Sequence, residues 1–319
     1  MTNRKIAVFY EHPEWFKPMF TELDKRQIPY DHLISHEHYF DPTERSSPYA
    51  LILNRMSPSA HTRGHKNAIF YSLDYMAYLK DIGAQVINGY NAYVYEFSKS
   101  QQLNLFENLG IRYPKSIVIN HASQATNLNS LTYPVITKPN IGGSGSGIQK
   151  FSTPKELNSA VADGHIELGI DHIALVQEYL PARGNSIVRV EILNGKYLYA
   201  IRLHLESEQT FNLCPADYCD LPSNNNQNNL DDGVSGRKAL VEAYIPPPDV
   251  INTVEEITKA AHIDVGGVEY LVNERDGEIY YYDINACSNF VADAQNVIGF
   301  DPFHKLVDFL VQKSGLEQY

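Results

Sequence analysis

The first 90 residues alternate between short apolar runs and segments in which apolar residues have helical spacing. Runs typical of buried strands are KIAVFY (residues 5–10), YALILNR (49–55) and AQVIN (84–88). Between the first two, Phe16, Phe20 and Leu23 have the spacing of one helix face, and residues 68–83 form a second helical segment. This order of strands and helices predicts a small parallel sheet with helices on its faces.

The rest of the chain predicts strands paired in hairpins and four further helices. Strand-like runs lie at residues 111–119, 132–139, 147–151, 173–181, 186–193, 197–204, 266–272 and 279–286. The turn signals Asn194-Gly195 and Asp276-Gly277 join two pairs of these runs into hairpins. Helices are predicted at residues 95–110, 152–164, 247–262 and 301–315.

Residues 135–151 read VITKPNIGGSGSGIQKF and place a glycine-rich loop between two short strands. A Gly/Ser run is also typical of a flexible linker, but both flanking runs belong to one predicted sheet. No Gly-Lys-Ser/Thr sequence enters a helix, and position 148 is not glycine, which excludes the P-loop and the dinucleotide fingerprint. The segment therefore predicts a β-hairpin. Its glycine N–H groups and Lys138 are suited to holding phosphate oxygens, and a plain hairpin is the alternative.

Oxygen-bearing side chains cluster on the last predicted hairpin. Asp283 and Asn285 are two positions apart on one strand, so both side chains point to the same face. Glu269, on the preceding strand, can join them. Two carboxylates and an amide oxygen suit Mg²⁺, which keeps several waters and bridges substrate phosphates. The pattern predicts a metal site, with solvated strand-edge carboxylates as the alternative.

Composition and charge exclude several classes of protein. The 319 residues are enough for two or three domains, and the net charge of −12, without a Lys/Arg cluster, disfavours nucleic acid and anionic membranes as partners. No apolar stretch reaches the ~18 residues of a membrane span, and the first 15 residues lack a signal-peptide core, so we expect a cytoplasmic protein. Cys214, Cys219 and Cys287 lack the spacing of zinc or redox pairs and are expected to be reduced thiols.

The order of these features resembles the ATP-grasp superfamily over about residues 95–300. The closest likeness is to the branch of ribosomal-protein glutamate ligases and related peptide ligases. The resemblance implies an α/β ATP-grasp architecture in which two α+β subdomains grip ATP. The implied divisions are an amino-terminal α/β (pre-ATP-grasp) domain at residues 1–95, a central subdomain with the glycine flap at 96–178, and a carboxyl-terminal subdomain with the metal site at 179–319.

The resemblance also implies which residues bind the nucleotide. Lys99, in FSKSQQ, and Lys138, in ITKP, are similar to the two lysines that contact the phosphates. The resemblance implies that Asn185 or Ser186 approaches the ribose, where this branch more often has an acidic residue. The flap over the phosphates and the hinge beside adenine correspond to Gly142, Gly143, Ser144, Gly145, Ser146 and Gly147, and to Gln177, Glu178, Tyr179 and Leu180.

Phosphoryl transfer and metal binding are implied in the same way. Arg189, in SIVRVEIL, and Arg202, in YAIRLH, resemble arginines that face the γ-phosphate and an acyl phosphate. With Lys138 they form the implied catalytic set. Glu269, Asp283 and Asn285 resemble ligands of Mg²⁺, with Mn²⁺ as an alternative, although the family more often has glutamate at the position of Asp283.

Substrate binding is predicted from position. Arg55 lies at the carboxyl end of a strand, where α/β sheets bind ligands, and is predicted to clamp a substrate carboxylate. Residues 210–220 are a candidate wall of the acceptor pocket, with a structural turn as the alternative, and the polar segment 223–236 is a candidate lid. Other residues predicted to border the substrate are Arg202, Asn285, Ser288 and Asn289.

The function implied is an ATP-dependent carboxylate–amine ligase that forms an amide or peptide bond through an acyl phosphate. Small amino acids or peptides are the expected substrates, and a homodimer is the expected assembly. The alternatives are a protein-modifying amino-acid ligase, an ATP-grasp kinase without an amine acceptor, and a nucleotide-binding regulatory module. The negative net charge argues mildly against binding acidic protein tails, and the full set of metal ligands argues against a module without turnover.

Overall fold

The computed structural model describes residues 5–12, 14–126, 128–143, 145–205 and 240–316. Within these ranges thirteen strands form three sheets, and eight α-helices pack around them. Ser144, Cys214, Cys219 and the predicted pocket and lid segments at 210–220 and 223–236 lie outside the described residues.

The amino-terminal sheet is parallel, as predicted. Its strands are β1 (Ile6–Tyr10), β2 (Tyr30–Ile34), β3 (Leu51–Arg55) and β4 (Val86–Ile87), in the order β2-β1-β3-β4. The helix α1 (Lys17–Lys25) packs against one face and α2 (Lys66–Asp81) against the other. The pattern analysis did not predict β2, because this half-exposed edge strand interrupts its apolar residues with Asp31 and His32.

The second sheet is antiparallel and contains the glycine-rich loop. Its strands are β5 (Ser116–Ile119), β6 (Val135–Pro139), β7 (Gln149–Phe151) and β8 (Ala174–Glu178), in the order β5-β8-β6-β7. The pairing of β6 with β7 confirms that the loop connects a hairpin. The helix α5 (Pro154–Ala162) covers this sheet, and the Thr153 side chain accepts a hydrogen bond from Glu156 N, which caps the helix.

The third sheet has five antiparallel strands. They are β9 (Ser186–Leu193), β10 (Lys196–His204), β11 (Val241–Tyr244), β12 (Val265–Val272) and β13 (Ile279–Asn285), in the order β11-β10-β9-β12-β13. The helix α6 (Pro248–Ala260) buries Val250, Val254 and Ile257 against one face of the sheet. The other face packs in part against the parallel sheet and in part lines a cleft shared with the second sheet.

The helix predicted over residues 95–110 is in fact two helices, α3 (Tyr90–Phe97) and α4 (Lys99–Asn108). Ser98 between them is extended, with φ −136° and ψ 113°. Asn140, which follows β6, accepts hydrogen bonds through Oδ1 from Ser98 Oγ at 3.1 Å and from Ser100 N at 2.8 Å. This contact from another element satisfies a free N–H of the first turn of α4, and it places Lys99 at the start of the helix.

The carboxyl-terminal helices are α7 (Ala294–Val297) and α8 (Pro302–Ser314), and α8 packs beside α1 on the parallel sheet. None of the helices in the described ranges has the length and apolar character needed to span a bilayer. The predicted boundaries at residues 95 and 178 stay predictions, and α4 packs on the five-stranded sheet.

Candidate active site

A cleft lies between the two antiparallel sheets, beside the loop that joins β6 to β7. The predicted site residues that line it are Lys99, Lys138, Gly142, Gly143, Gly145, Ser146, Gln177, Glu178, Tyr179, Leu180, Arg189, Glu269, Asp283, Asn285 and Asn289. The fold therefore brings together most of a set that is spread over 190 positions of the chain. The roles of these residues stay predictions.

Three charged side chains form a row across the five-stranded sheet. Arg189 on β9 lies opposite Glu269 on β12, which lies opposite Asp283 on β13. Directly opposed residues point to the same face. The register of β12 and β13 shifts by one residue at Tyr282, and without this bulge Asp283 would point away from Glu269. Asn285 lies two residues further along the same face.

The two carboxylates of this row, Glu269 and Asp283, lie close enough for their negative charges to repel each other. Burial raises the pKa of Glu269 above its ordinary value, Arg189 opposes that shift, and the neighbouring Asp283 adds to it. Lys99 Nζ donates to Asp283 Oδ1, and Asn285 Nδ2 lies 3.4 Å from Asp283 Oδ2. Lys99 contacts Asp283 and Arg189 contacts Glu269, and these two adjacent carboxylates are the hard oxygen ligands that a divalent cation would use.

Lys138 is a buried cation without a carboxylate partner. Its side chain lies on β6 in the cleft wall and is 6% exposed, and it makes no ion pair with any residue in the described ranges. Burial and the nearby Lys99 lower the pKa of Lys138 to about 8, and the charges of Asp283 and Glu269 partly oppose this shift. An unpaired ammonium group in a cleft is suited to an anionic ligand.

The glycine loop follows Lys138 and packs against the amino-terminal domain. A Cβ on Gly143 would lie 3.1 Å from Ser59 Cβ, so the loop approaches Ser59 closely. Gly145 and Gly147 have φ of 72° and 73°, in the left-handed region that favours glycine. Gly147 does not line the cleft. It packs against Pro139, so we expect it to shape the loop and not to contact phosphate.

Replacing Gly147 by alanine should lower the free energy of unfolding by more than backbone strain alone. Its Cβ would lie 2.8 Å from Pro139 Cγ, in addition to a left-handed strain of about 1–2 kcal/mol. Gly164→Ala is the matched control, since Gly164 has φ +71° and open space around it. Urea unfolding of both variants measures the difference, and equal losses would show that the Pro139 contact is unimportant.

The hinge residues Gln177 to Leu180 lie at the other end of the cleft, beside apolar side chains. Gln177 Nε2 donates to Ser116 Oγ at 2.7 Å, and Glu178 Oε1 accepts from Thr132 N at 2.7 Å. Tyr179 N donates to Pro134 O at 2.9 Å, so this backbone donor is already used inside the protein. The apolar lining at this end includes Ile136, Leu180, Ile187, Leu205 and Leu271.

The prediction that Arg202 faces the cleft with Arg189 is wrong. The register of β9 and β10 shifts by one residue between Tyr197 and Tyr199, so Arg202 lies opposite Val188 and points to the face covered by α6. There Arg202 Nη1 lies 3.1 Å from Glu242 Oε1, and the guanidinium lies 4.1 Å from the Tyr244 ring. Arg202 therefore does not join the site.

The prediction that Arg55 clamps a substrate is also wrong. The side chain is 1% exposed and does not line the cleft. Its guanidinium donates to Ala286 O at 3.4 Å and to Ser288 O, and it packs over the Phe16 ring. Arg55, at the end of β3, therefore holds in place the segment that follows β13.

We expect Arg55→Met to lower the free energy of unfolding by about 2–4 kcal/mol, because the guanidinium loses its packing and the carbonyl of Ser288 loses its hydrogen bond from Arg55. Ala286 O, in contrast, keeps a second donor in Asn88 Nδ2. Arg202→Met is the control, because its exposed ion pair should contribute less than about 1 kcal/mol. Chemical unfolding of the two variants makes the comparison. A small loss for Arg55→Met, together with a large rise in the KM of one substrate, would restore the clamp assignment.

Two further predicted contacts lie outside the cleft lining. Asn185 is exposed in the turn before β9 and has φ +48°. Ser288 is fully buried, with its Oγ 2.7 Å from Arg189 Nη2 and 2.6 Å from Glu191 Oε1. Ser288 supports Arg189 from behind and is not placed to border a substrate, whereas Asn289 lines the cleft.

Three residues in or beside the cleft were not predicted from the sequence. Glu191 binds Arg189, and the spacing Arg-x-Glu on a predicted strand was a usable signal for two side chains on one face. Glu96 lines the cleft and accepts from Cys287 N at 3.0 Å, and burial raises its pKa to about 7. Trp15 belongs to the amino-terminal domain, and no local pattern linked it to the cleft.

Comparison with known sequences gives a partial match. The sequence matches no family model. A D-alanine–D-alanine ligase from Legionella pneumophila (strain Corby) is 27% identical over 179 residues, which cover 50% of this chain and 42% of the relative. The chain thus matches less than half the length of these curated relatives.

Comparison with solved structures covers nearly the whole chain. The ATP-grasp ligase PsnB, complexed with a phosphomimetic variant of a minimal precursor, Mg and ADP, has a TM-score of 0.66 at 16% identity, over 98% of this chain and 100% of that chain. A RimK-domain ATP-grasp protein from Sphaerobacter thermophilus has a TM-score of 0.66 at 15% identity, over 96% and 98%. D-alanine–D-alanine ligase from Bacillus anthracis, complexed with ATP, has a TM-score of 0.65 at 15% identity, over 98% and 96%. The predicted ATP-grasp fold is confirmed.

Proposed function

We propose that the protein is an ATP-dependent carboxylate–amine ligase that forms an amide or peptide bond. The observation that carries the proposal is the convergence, in one cleft beside a glycine loop, of an unpaired buried lysine and the row Arg189–Glu269–Asp283. Phosphoryl transfer to a carboxylate requires this combination of fixed cations and hard oxygen ligands. The names of the similar proteins, which include D-alanine–D-alanine ligase and an ATP-grasp ligase, support this class of reaction.

We propose that ATP binds along the length of the cleft. The apolar residues beside Gln177 and Leu180 provide a pocket for a purine, and Lys99 and Lys138 lie toward the carboxylate row. The glycine loop lies beside Lys138 and can supply backbone N–H groups to phosphate oxygens. We therefore place the adenine at the hinge and the β- and γ-phosphates beneath the loop.

The donor set fits Mg²⁺. The proposed site offers two carboxylates and one amide oxygen. No group of three His, Cys, Asp or Glu side chains suited to a metal is found in the described part of the chain. Such a small protein ligand set suits an ion that also binds substrate phosphates. Glu269, Asp283 and Asn285 would hold it, and when bound it neutralises charge on the phosphates. Mn²⁺ takes the same ligands.

The protein's own groups would act by charge and by exclusion of water. Arg189 and Lys138 would stabilise negative charge on the transferred phosphoryl group. The glycine loop, packed on Ser59, would shield an acyl phosphate from hydrolysis. No protein nucleophile is needed, since the substrate carboxylate attacks the γ-phosphorus and the amine then displaces phosphate. Cys287, a free thiol beside the metal strand, has no chemical role in this scheme.

The acceptor is proposed to bind beyond the metal ligands. The cleft there is lined by Trp15, Ser57 and Ser59 of the amino-terminal domain and by Asn289. Asn289 Oδ1 is buried and has no hydrogen-bond partner among the described residues. A substrate N–H group is the expected partner of this oxygen.

A peptide-modifying ligase is the second candidate, and the similarity to PsnB, which was solved with a precursor peptide, favours it. Amino acids and small peptides are favoured by the similarity to D-alanine–D-alanine ligase. A kinase would differ from both because it phosphorylates one substrate without an amine. The expected cytoplasmic location and homodimer stay predictions, as does the expectation that nucleic acids and membranes are not partners.

ADP release from Mg·ATP, measured against a panel of amino-acid and short-peptide pairs with mass spectrometry of the products, tests the proposal. We expect release that depends on the amine, together with a new amide. A phosphorylated product formed from a single substrate would favour the kinase. Absence of ADP release with any amino acid or peptide would contradict ligation of these substrates.

A further inference from the structure

The guanidinium of Arg189 is held by three protein acceptors. Arg189 Nε donates to Glu191 Oε1 at 2.7 Å, Nη2 donates to Ser288 Oγ at 2.7 Å, and Nη1 lies 3.3 Å from Glu269 Oε1. The Arg189 side chain is 7% exposed. Its orientation is therefore set by these neighbours and not by solvent.

Glu191 accepts two short hydrogen bonds in this network. It is fully buried, and its Oε1 accepts both from Arg189 Nε and, at 2.6 Å, from Ser288 Oγ. Ser288 thus links the arginine and the carboxylate, and it belongs to the segment just after the predicted metal strand. One buried carboxylate connects the cleft arginine to the end of β13.

The sheet leaves space for this arrangement at Gly267. Gly267 lies opposite Glu191 on one side and opposite Asn285 on the other. A Cβ at this position would lie 2.9 Å from Glu191 Oε1 and 3.1 Å from Arg189 Nε. The glycine therefore permits the close contact of Glu191 and Arg189 on the floor of the cleft.

Glu191 also affects whether Glu269 can bind a metal ion. Without Glu191, Arg189 would have Glu269 as its remaining carboxylate partner, and this ion pair would draw Glu269 away from a metal ion. Burying a carboxylate costs desolvation free energy, and a buried ion pair often does not offset that cost. A contribution to the stability of the fold therefore does not by itself explain the ion pair of Glu191. Its position beside the phosphate-facing row points to a role in the site.

We propose that Glu191 is a positioning residue that fixes the guanidinium of Arg189, so that Glu269 is not its sole carboxylate partner and can also bind the metal ion. The proposal rests on the proposed function, because it assigns Arg189 to the phosphoryl group and Glu269 to the metal. Glu191 itself does not line the cleft and touches no reacting atom.

The kinetic test compares Glu191→Gln with Glu22→Gln. Glu22 is a matched control, because it is a buried carboxylate that binds an arginine Nε, of Arg26, and does not line the cleft. We expect Glu191→Gln to lower kcat for ADP formation ~10–100-fold, as the loss of a supporting partner at such a site does. The Mg²⁺ concentration for half-maximal rate should rise, with the KM for ATP within about threefold. A kcat within twofold of the control would overturn the proposal.

A second pair of variants separates positioning from folding. Glu191→Asp keeps the charge and should recover part of kcat, whereas Ser288→Ala, which removes the linking hydroxyl, should lower it. The effects of Glu191→Gln and Ser288→Ala should be less than additive, since both act on Arg189. If Glu191→Gln does not fold, this comparison of Glu191→Asp and Ser288→Ala decides instead, and unchanged kcat in both would overturn the proposal.

A spectroscopic reading is independent of turnover. In protein labelled with ¹⁵N-arginine, the Nε–H signal of Arg189, assigned with Arg189→Lys, should exchange with solvent slowly in the wild type. The exchange should be at least tenfold faster in Ser288→Ala and Glu191→Gln. Equal exchange rates would overturn the positioning role. If the wild type forms no ADP, the proposed function fails, while the exchange rates still decide whether Glu191 orders Arg189.

Discussion

Asp283→Asn should reduce ADP formation by ~10²–10³-fold while the protein stays folded. Asp283 lies opposite Glu269 on the cleft face and is the carboxylate that Lys99 contacts. The amide keeps the shape but loses the charge that a divalent ion needs, and losing one group that stabilises the transferred phosphate typically costs ~10²–10³ in kcat. The rates are measured over a range of Mg²⁺ concentrations.

Asp276→Asn is the control for this change. It makes the same replacement in the same hairpin, at an exposed turn where Asp276 accepts from Glu278 N at 2.9 Å. We expect its rate to stay within about threefold of the wild type. If Asp283 serves only as the partner of Lys99, the half-saturating Mg²⁺ concentration will not change in Asp283→Asn, and the assignment of Asp283 to the metal fails.

Lys138 should make nucleotide capture depend on pH. Burial and the neighbouring Lys99 lower the pKa of Lys138 to about 8, so the protonated amine is the dominant form below that pH and is lost above it. Because only the charged form attracts phosphate, kcat/KM for ATP should fall about tenfold per pH unit above about 8. Lys138→Met should lower kcat/KM by ~10²–10³-fold at pH 7 and abolish this pH dependence.

Lys138→Arg provides the matched comparison, since a guanidinium stays charged throughout this range. Its kcat/KM, although lower at pH 7, should be independent of pH between about 7 and 9.5. A wild-type profile that stays flat across this range, or one that Lys138→Arg leaves in place, would show that another group controls capture.

Much of the fold was predictable because it depends on residue patterns that are local in the sequence. The three apolar runs and two helical segments of the first 90 residues predicted the parallel sheet. Asn194-Gly195 predicted the turn between β9 and β10, where both residues have positive φ. The glycine loop was predicted as a hairpin because it lies between two short apolar runs. These signals are short-range, and tertiary packing did not oppose them.

One-residue bulges determine the sheet face of two predicted site residues, Arg202 and Asp283, and only Arg202 differs from the prediction. Without the shift between Tyr197 and Tyr199, Arg202 would lie opposite Ile187, on the face of Arg189. The shift at Tyr282 has the reverse effect and brings Asp283 to the face of Glu269. A bulge moves every later side chain to the other face, and apolar patterning does not locate it when both faces of a sheet are buried.

Arg55 and Ser98 show a second limit. Arg55 looks available at the end of a strand, but its partners are carbonyl groups 231 and 233 positions away. The break at Ser98 depends on Asn140, which reaches it from the second sheet. Both features depend on contacts distant in sequence, which a single sequence without the fold does not reveal.

Transfer of oxygen from the substrate tests the central claim most directly. Once a reactive pair is found, the acid is supplied with both carboxylate oxygens as ¹⁸O, and ADP, phosphate and product are analysed by mass spectrometry. Attack of the carboxylate on the γ-phosphorus, followed by amine displacement, predicts one ¹⁸O in each phosphate released and one retained in the amide. Phosphate without ¹⁸O, or a phosphorylated hydroxyl in place of an amide, would contradict the proposed ligase.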